Sequence, residues 1–259
     1  EPAAGFLRPE AVVAAYAENA RRAGAEIREN EPVLGWTDDV WPGRATAGGG
    51  ATGGASAGGA TPDLLIRTAA GVYRTRRLVV CGGAWAARLL TTLAMPLVVT
   101  RQVLGWVRPA DLDSFALGRF PVWAMENPDG TLQYGFPVLP GEAAMKVAWH
   151  GPGAPTDADT VDRQTSGADA ATFLPSLPHF LPAAAGPVER MTVCLYTNSP
   201  DHHFVIDRLP ADPRVVVACG FSGHGFKFAS VVGEVLADLA TAGATRWPVG
   251  FLGVGRFGR

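Results

Sequence analysis

Lysine is almost absent from this chain of 259 residues: of its 22 basic side chains only two, Lys146 and Lys227, are lysine. Arginine can replace lysine on a solvated surface. It cannot readily lose its proton or act as a compact ammonium, so two retained lysines point to positions where that chemistry is wanted, with chance drift against an arginine-rich background as the competing reading. Long apolar runs are also missing. None reaches the roughly 18 residues of a membrane span, and the opening EPAAGFLRPEAVV lacks the charged-then-apolar order of a secretory leader. No basic block is present and the net charge is −2, which argues against a nucleic-acid partner. Cysteine is scarce. Cys81, Cys194 and Cys219 are odd in number and far apart, with neither metal-ligand spacing nor a disulfide framework, so no metal is expected and the reducing cytoplasm is the expected compartment. There is no internal repeat.

Apolar residues make up 47% of the chain, enough for a substantial core. RPEAVVAAYAENARRAGAEI reads as a helix, with Pro9 in its first turn and Gly24 at its stop. AEIRENEPVLGW follows as a strand. Residues 42–62, rich in Gly, Ala, Thr and Ser, read as a flexible insertion; a phosphate loop is disfavoured because no strand enters and no helix leaves. Next come a hairpin turning at Ala69–Gly71, a strand Leu78–Cys81, the pair Gly82-Gly83 and a short helix. PVWAMENPDGTLQYGFPVLPGEAAMKVAWH reads as an antiparallel meander with its turn at Asn127–Gly130. SGADAATFLPSLPHFLP is helical, capped by Ser166 or Asp169. Two strands flank Asn198–Asp201, PRVVVACG is another strand, and FASVVGEVLADLATAG is a last helix closed by Gly243. The order implies an α/β to α+β protein of two discontinuous lobes, with residues 1–97 and 201–259 forming one and residues 98–200 inserted as a mixed or antiparallel sheet.

Two segments carry a site signature. In VVVACGFSGHGFKFASVV a strand ends in a turn with Gly220, Gly223 and Gly225 before a helix. Such a turn gathers backbone N–H groups and a positive helix end, and glycine permits close approach of a flat or anionic ligand. His224 and Lys227 stand beside it; a plain structural turn is the competing reading. LVVCGGAWAARLL repeats the pattern more weakly, and two such strand ends suggest a nucleotide-type cofactor across them. In MKVAWH, Lys146 and His150 are four apart and so share one face of a strand. Cys194, in the alternating strand MTVCLYT, reads from its spacing alone as a small buried apolar residue.

CLYTNSPDHHFVID and VVVACGFSGHGFKFASVVGEVLADLA, with RLVVCGGAWAARLL, YGFP and KVAWH, resemble the monomeric sarcosine oxidase and N-methyltryptophan oxidase family of FAD-dependent amino-acid-oxidase-like flavoproteins. The resemblance covers nearly all the chain outside residues 42–62. It implies oxidation of the C–N bond of a secondary, N-methyl amino acid to an imine, which water hydrolyses, with oxygen as the final acceptor and hydrogen peroxide as product. It implies FAD joined covalently through Cys194, and Gly82, Gly83, Ala84 and Trp85 lying along the cofactor. Gly220, Gly223, Gly225 and Lys227 are expected to face its pyrimidine end and the substrate carboxylate. Lys146 is expected on the other flavin face to assist reaction with oxygen. His150, His224 and Tyr134 are expected near substrate, and a monomer is expected. The family also has an opening strand, a Gly-x-Gly-x-x-Gly turn and a helix for the FAD diphosphate, together with a carboxylate-binding arginine. The chain has no matching segment, so a partial product is expected that exposes apolar surface, folds poorly alone and binds FAD weakly. A related flavin-dependent dehydrogenase, or a non-catalytic subunit-like remnant, is the alternative; retention of Cys194, Lys146 and Lys227 together disfavours the remnant.

Overall fold

A computed structural model describes residues 5–38, 63–91 and 95–258; the expected insertion at residues 42–62 lies outside them. Helix α1, Pro9–Arg22, starts on a proline that needs no helical N–H partner and carries Glu10 in its first turn and Arg21 and Arg22 in its last, each favourable to the helix dipole. It stops where Gly24 takes φ +90°. None of its residues is buried, and Val13 and Tyr16 are exposed.

The strand expected from Ala25 begins only at Val33. Asn30 is left-handed at φ 57° and Pro32 has no N–H, so the chain cannot join a ladder until strand β1, Val33–Asp38. β1 pairs antiparallel with β2, Leu64–Thr68, which pairs with β3, Val72–Thr75, through the expected hairpin. The Thr68 hydroxyl oxygen accepts the N–H groups of Ala70 and Gly71 in that turn.

A second sheet holds the two glycine-ended strands. β4, Leu78–Val80, leads through a 3-10 turn, Gly83–Trp85, into helix α2, Ala86–Leu89.

The largest sheet is built entirely from residues 98–198: β5, Val98–Val107; β6, Trp123–Glu126; β7, Leu132–Gly135; β8, Met145–His150; β9, Ala154–Pro155; and β10, Val188–Asn198. Its order is β10-β5-β8-β7-β6, with β9 also on β5, and every pairing is antiparallel. Alternation divides its faces. Val103, Val107, Met145 and Val147 turn to a core closed by helices α3, Gly167–Phe173, and α4, Leu177–Phe180. The Ser166 N–H donates to the Asp169 carboxylate at 2.8 Å, capping α3, and Arg101 of β5 binds the same carboxylate at 2.5 Å.

The chain then returns to the second sheet. β11, Val205–Leu209, runs antiparallel to β12, Asp212–Cys219, and β12 runs parallel to β4. Val215, Val217 and Cys219 face one core, while Val216 and Ala218 face another that includes Val235 and Leu236 of helix α5, Ala229–Thr241. Burial on both faces explains the unbroken run VVVA. Among the described residues no helix is long and apolar enough to cross a membrane.

Candidate active site

The face of the large sheet turned away from its core gathers most of the candidate residues. Register places Tyr134 of β7 opposite Ala148, Trp106 of β5 opposite Lys146, and Cys194 and Tyr196 of β10 opposite Gln102 and Thr100. Since directly paired residues share a face, Tyr134, Lys146, His150, Cys194 and Tyr196 lie on one surface. The His150 Nδ1 is 3.2 Å from the Tyr196 hydroxyl. Burial is the main influence on each group. It holds the half-buried Lys146 ammonium below the ordinary lysine range, opposed by Glu10 and Cys194. It pushes the Cys194 thiol up, with Lys146 pulling the other way, so the sulfur rests protonated at neutral pH. It pushes the Tyr134 phenol up against an opposing pull from Tyr196, and raises Tyr196 strongly with Tyr134 adding to the effect. It lowers His150, with the positive charges of His224, His202 and Lys227 acting in the same direction.

The two glycine turns stand side by side, because β4 and β12 are parallel neighbours that end at the same edge. Gly220 at φ 63°, Ser222 at φ 50° and Gly223 at φ 78° form a left-handed turn. It is tied to the end of β10: the Ser222 N–H donates to the Thr197 carbonyl at 2.9 Å, and the Ser199 N–H donates to the Ser222 hydroxyl at 3.3 Å. The absence of a Cβ at 223 makes room for one of the chain's own rings. A Cβ there would sit 2.3 Å from the Tyr196 ring, and one on Gly225 would sit 2.4 Å from that of Phe221. Gly83, at φ 51°, has nothing within 4 Å of its Cβ position, whereas a Cβ on the neighbouring Gly82 would meet Leu89 at 2.9 Å. Beyond Ala84, the Trp85 indole N–H donates to Asp159 at 2.6 Å, and Arg88 bridges Asp157 and Asp159. Trp85 therefore ties α2 to the loop after β9.

Among the described residues the candidates line three different cavities. His150 and Tyr196 line a space of about 570 Å³ with Asn198 and Ser222. Lys146 lines another of about 440 Å³ with Trp106, Phe136 and Arg190. Lys227 and His224 line a third, apolar one of about 450 Å³ with Phe204, Phe228 and Trp247. Among the described residues Lys146 and His150 thus share a strand face and line different cavities. Lys227 is exposed, 5.7 Å from the Phe228 ring centre. The His224 Nε2 is 3.1 Å from the His202 carbonyl oxygen, and its ring lies 4.9 Å from Phe204. Two residues not singled out from the sequence stand out here. Tyr196 follows Cys194 by two in an alternating strand, a spacing that already placed both on one face. Trp106 lies 40 residues from Lys146 in the chain, and only register brings them together.

A family model described as FAD dependent oxidoreductase matches residues 1–239. The chain is 38% identical over 253 residues to a monomeric sarcosine oxidase of Streptomyces avermitilis, covering 96% of this chain and 60% of that protein. It is 34% identical over 242 residues to an N-methyl-L-tryptophan oxidase of Escherichia coli O81, covering 93% and 58%. The chain therefore spans about three fifths of the length of the curated relatives it matches. Among solved structures, L-proline dehydrogenase from P. horikoshii superposes with a TM-score of 0.73 at 21% identity, covering 96% of this chain and 59% of that one. Glycine oxidase from Geobacillus kaustophilus gives 0.67 at 20%, covering 94% and 56%. At those identities the likeness shows the fold alone.

Proposed function

The chain belongs to the FAD-dependent oxidoreductase family, and on that premise we propose that it serves the flavin-dependent oxidation of a secondary amino acid's C–N bond, with sarcosine and N-methyltryptophan as the leading substrates and oxygen as acceptor. The observation that carries this reading is the shared face of Tyr134, Lys146, His150, Cys194 and Tyr196, in a chain 33–38% identical to sarcosine and N-methyltryptophan oxidases.

The residues present fit a flavin. Cys194 is a half-buried thiol with an ammonium in electrostatic reach, and Gly83 leaves open space at the edge where two parallel strands end. FAD, when bound, supplies the acceptor for the electron pair leaving the C–N bond. Cys194 would hold the cofactor covalently through its sulfur, and Gly82, Gly83, Ala84 and Trp85 would border it. Lys146 presents a positive charge to developing negative charge at the site. Lys227, with the turn at Gly220, Gly223 and Gly225, attracts the substrate carboxylate. His150 and Tyr196 hold a proton between Nδ1 and the phenol oxygen, which His224 favours by discouraging a charged imidazole. Tyr134 shapes the substrate side of the same face.

Hydrogen peroxide release by the full-length protein with sarcosine and with N-methyl-L-tryptophan tests this reading. Turnover with an artificial acceptor but none with oxygen would replace it with a dehydrogenase; no turnover in a folded, flavin-loaded protein would leave the non-catalytic alternative. Flavin is expected to stay with the polypeptide after acid denaturation and to be lost from Cys194→Ser. Retention by that variant would remove the assignment of the link.

A further inference from the structure

Lys146 is a half-buried ammonium that has no counter-ion among the described residues. Among the described residues its Nζ makes no hydrogen bond and no ion pair. What it faces instead are rings: Nζ lies 5.4 Å from the centre of Trp106 and 5.5 Å from that of Phe136. Both distances fall within the reach of cation–π attraction, which strengthens as the cation loses water. The sheet imposes the arrangement. Trp106 is the direct cross-strand partner of Lys146, and the Phe136 N–H donates to the Lys146 carbonyl at 2.9 Å. On the other side of β5, Arg190 of β10 is the partner of Trp106, and its guanidinium carbon lies 3.7 Å from the ring centre. Arg190 is itself held by Glu142 at 3.4 Å. The row across the sheet therefore reads phenyl, ammonium, indole, guanidinium.

The charged and titratable groups in electrostatic reach of Lys146 are Glu10 on α1, Glu142 before β8, and Cys194 and Arg190 on β10. None comes within ion-pairing distance of its Nζ. A carboxylate in contact would neutralise the charge; a ring face stabilises it while leaving its field directed outward. We propose that Trp106, supported by Phe136 and braced by Arg190, is the positioning residue for Lys146, holding its ammonium charged and pointed at the open sheet face. The task of that charge rests on the oxidase reading above. The positioning by Trp106 does not.

The composition of the chain supplies the test. Lys146 and Lys227 are its only lysines, so trace acetylation followed by peptide mass spectrometry reports each amine separately, with exposed Lys227 as the reference. Acetylation requires the free amine, so its rate against pH gives the midpoint of each lysine in the full chain. Trp106→Leu keeps apolar bulk and removes the ring face. It is expected to move the Lys146 midpoint down and speed acetylation at a fixed pH on the rising limb by about threefold, with Lys227 unchanged. If Trp106 were only packing, its loss would admit water and the midpoint would rise toward the ordinary lysine range. Trp106→Phe, the milder change, is expected to give a smaller shift of the same sign. An unchanged or rising midpoint in both variants would overturn the proposal, and this outcome is independent of whether the flavin-loaded enzyme turns over any substrate.

Discussion

Replacing Gly223 by alanine tests how the turn and strand β10 hold each other. Two costs add. The residue sits at φ 78°, where an L side chain is strained by about 1–2 kcal/mol. Its Cβ would also stand 2.3 Å from the Tyr196 ring, an overlap relieved only by moving a buried side chain, at about 1–3 kcal/mol. If the ring moves, its bond to His150 at 3.2 Å weakens, worth about 1 kcal/mol. Gly141 is the control. Its φ is 83° but nothing lies within 4 Å of its Cβ position, so Gly141→Ala carries the backbone strain alone. Any gain from a stiffer unfolded chain is common to both variants and cancels in the comparison. Gly223→Ala should therefore be less stable than Gly141→Ala by about 2–4 kcal/mol in urea unfolding followed by fluorescence. The His150 imidazole, monitored by NMR, should titrate differently only in the first. Equal destabilisation by the two substitutions would show that Tyr196 does not rest on the turn.

Two further outcomes are expected. Gly105→Ala would set a Cβ 2.2 Å from the buried Phe173 ring and should cost about 1–3 kcal/mol, recovered in part by Phe173→Leu in the same background; no recovery would place the strain elsewhere. His150 has its folded-state pKa lowered by burial and then by neighbouring positive charge, so the unfolded chain takes up its proton first. Its neutral form therefore suits the fold above about pH 6.5, and stability is lost as pH falls from there through the folded-state value. His150→Gln should flatten the urea midpoint between about pH 7 and 5, and an identical slope in both proteins would refute the assignment.

The local elements were legible because their signals are local. Pro9 and Gly24 bracket α1, Ala69–Gly71 turns the β2–β3 hairpin, and the run VVVA marks a strand buried on both faces. The strand expected from Ala25 was not legible, because the left-handed Asn30 is a choice among conformations that asparagine tolerates without announcing it. In the site, chemistry-bearing residue types were legible, but their grouping was only half so. Two-residue and four-residue spacings put Cys194 with Tyr196 and Lys146 with His150, since both pairs lie within single strands.

The amino-acid order alone settled which side chains can do chemistry, and, through family likeness, with what cofactor. Tertiary structure decided what surrounds each of them. Trp106 meets Lys146 only through the register of β5 on β8, and the Tyr196 ring meets Gly223 only because Ser222 ties the turn to the end of β10. Both contacts join segments far apart in the chain. Side-chain period constrains each strand separately, and the offset between strands is set by the packing of the whole sheet.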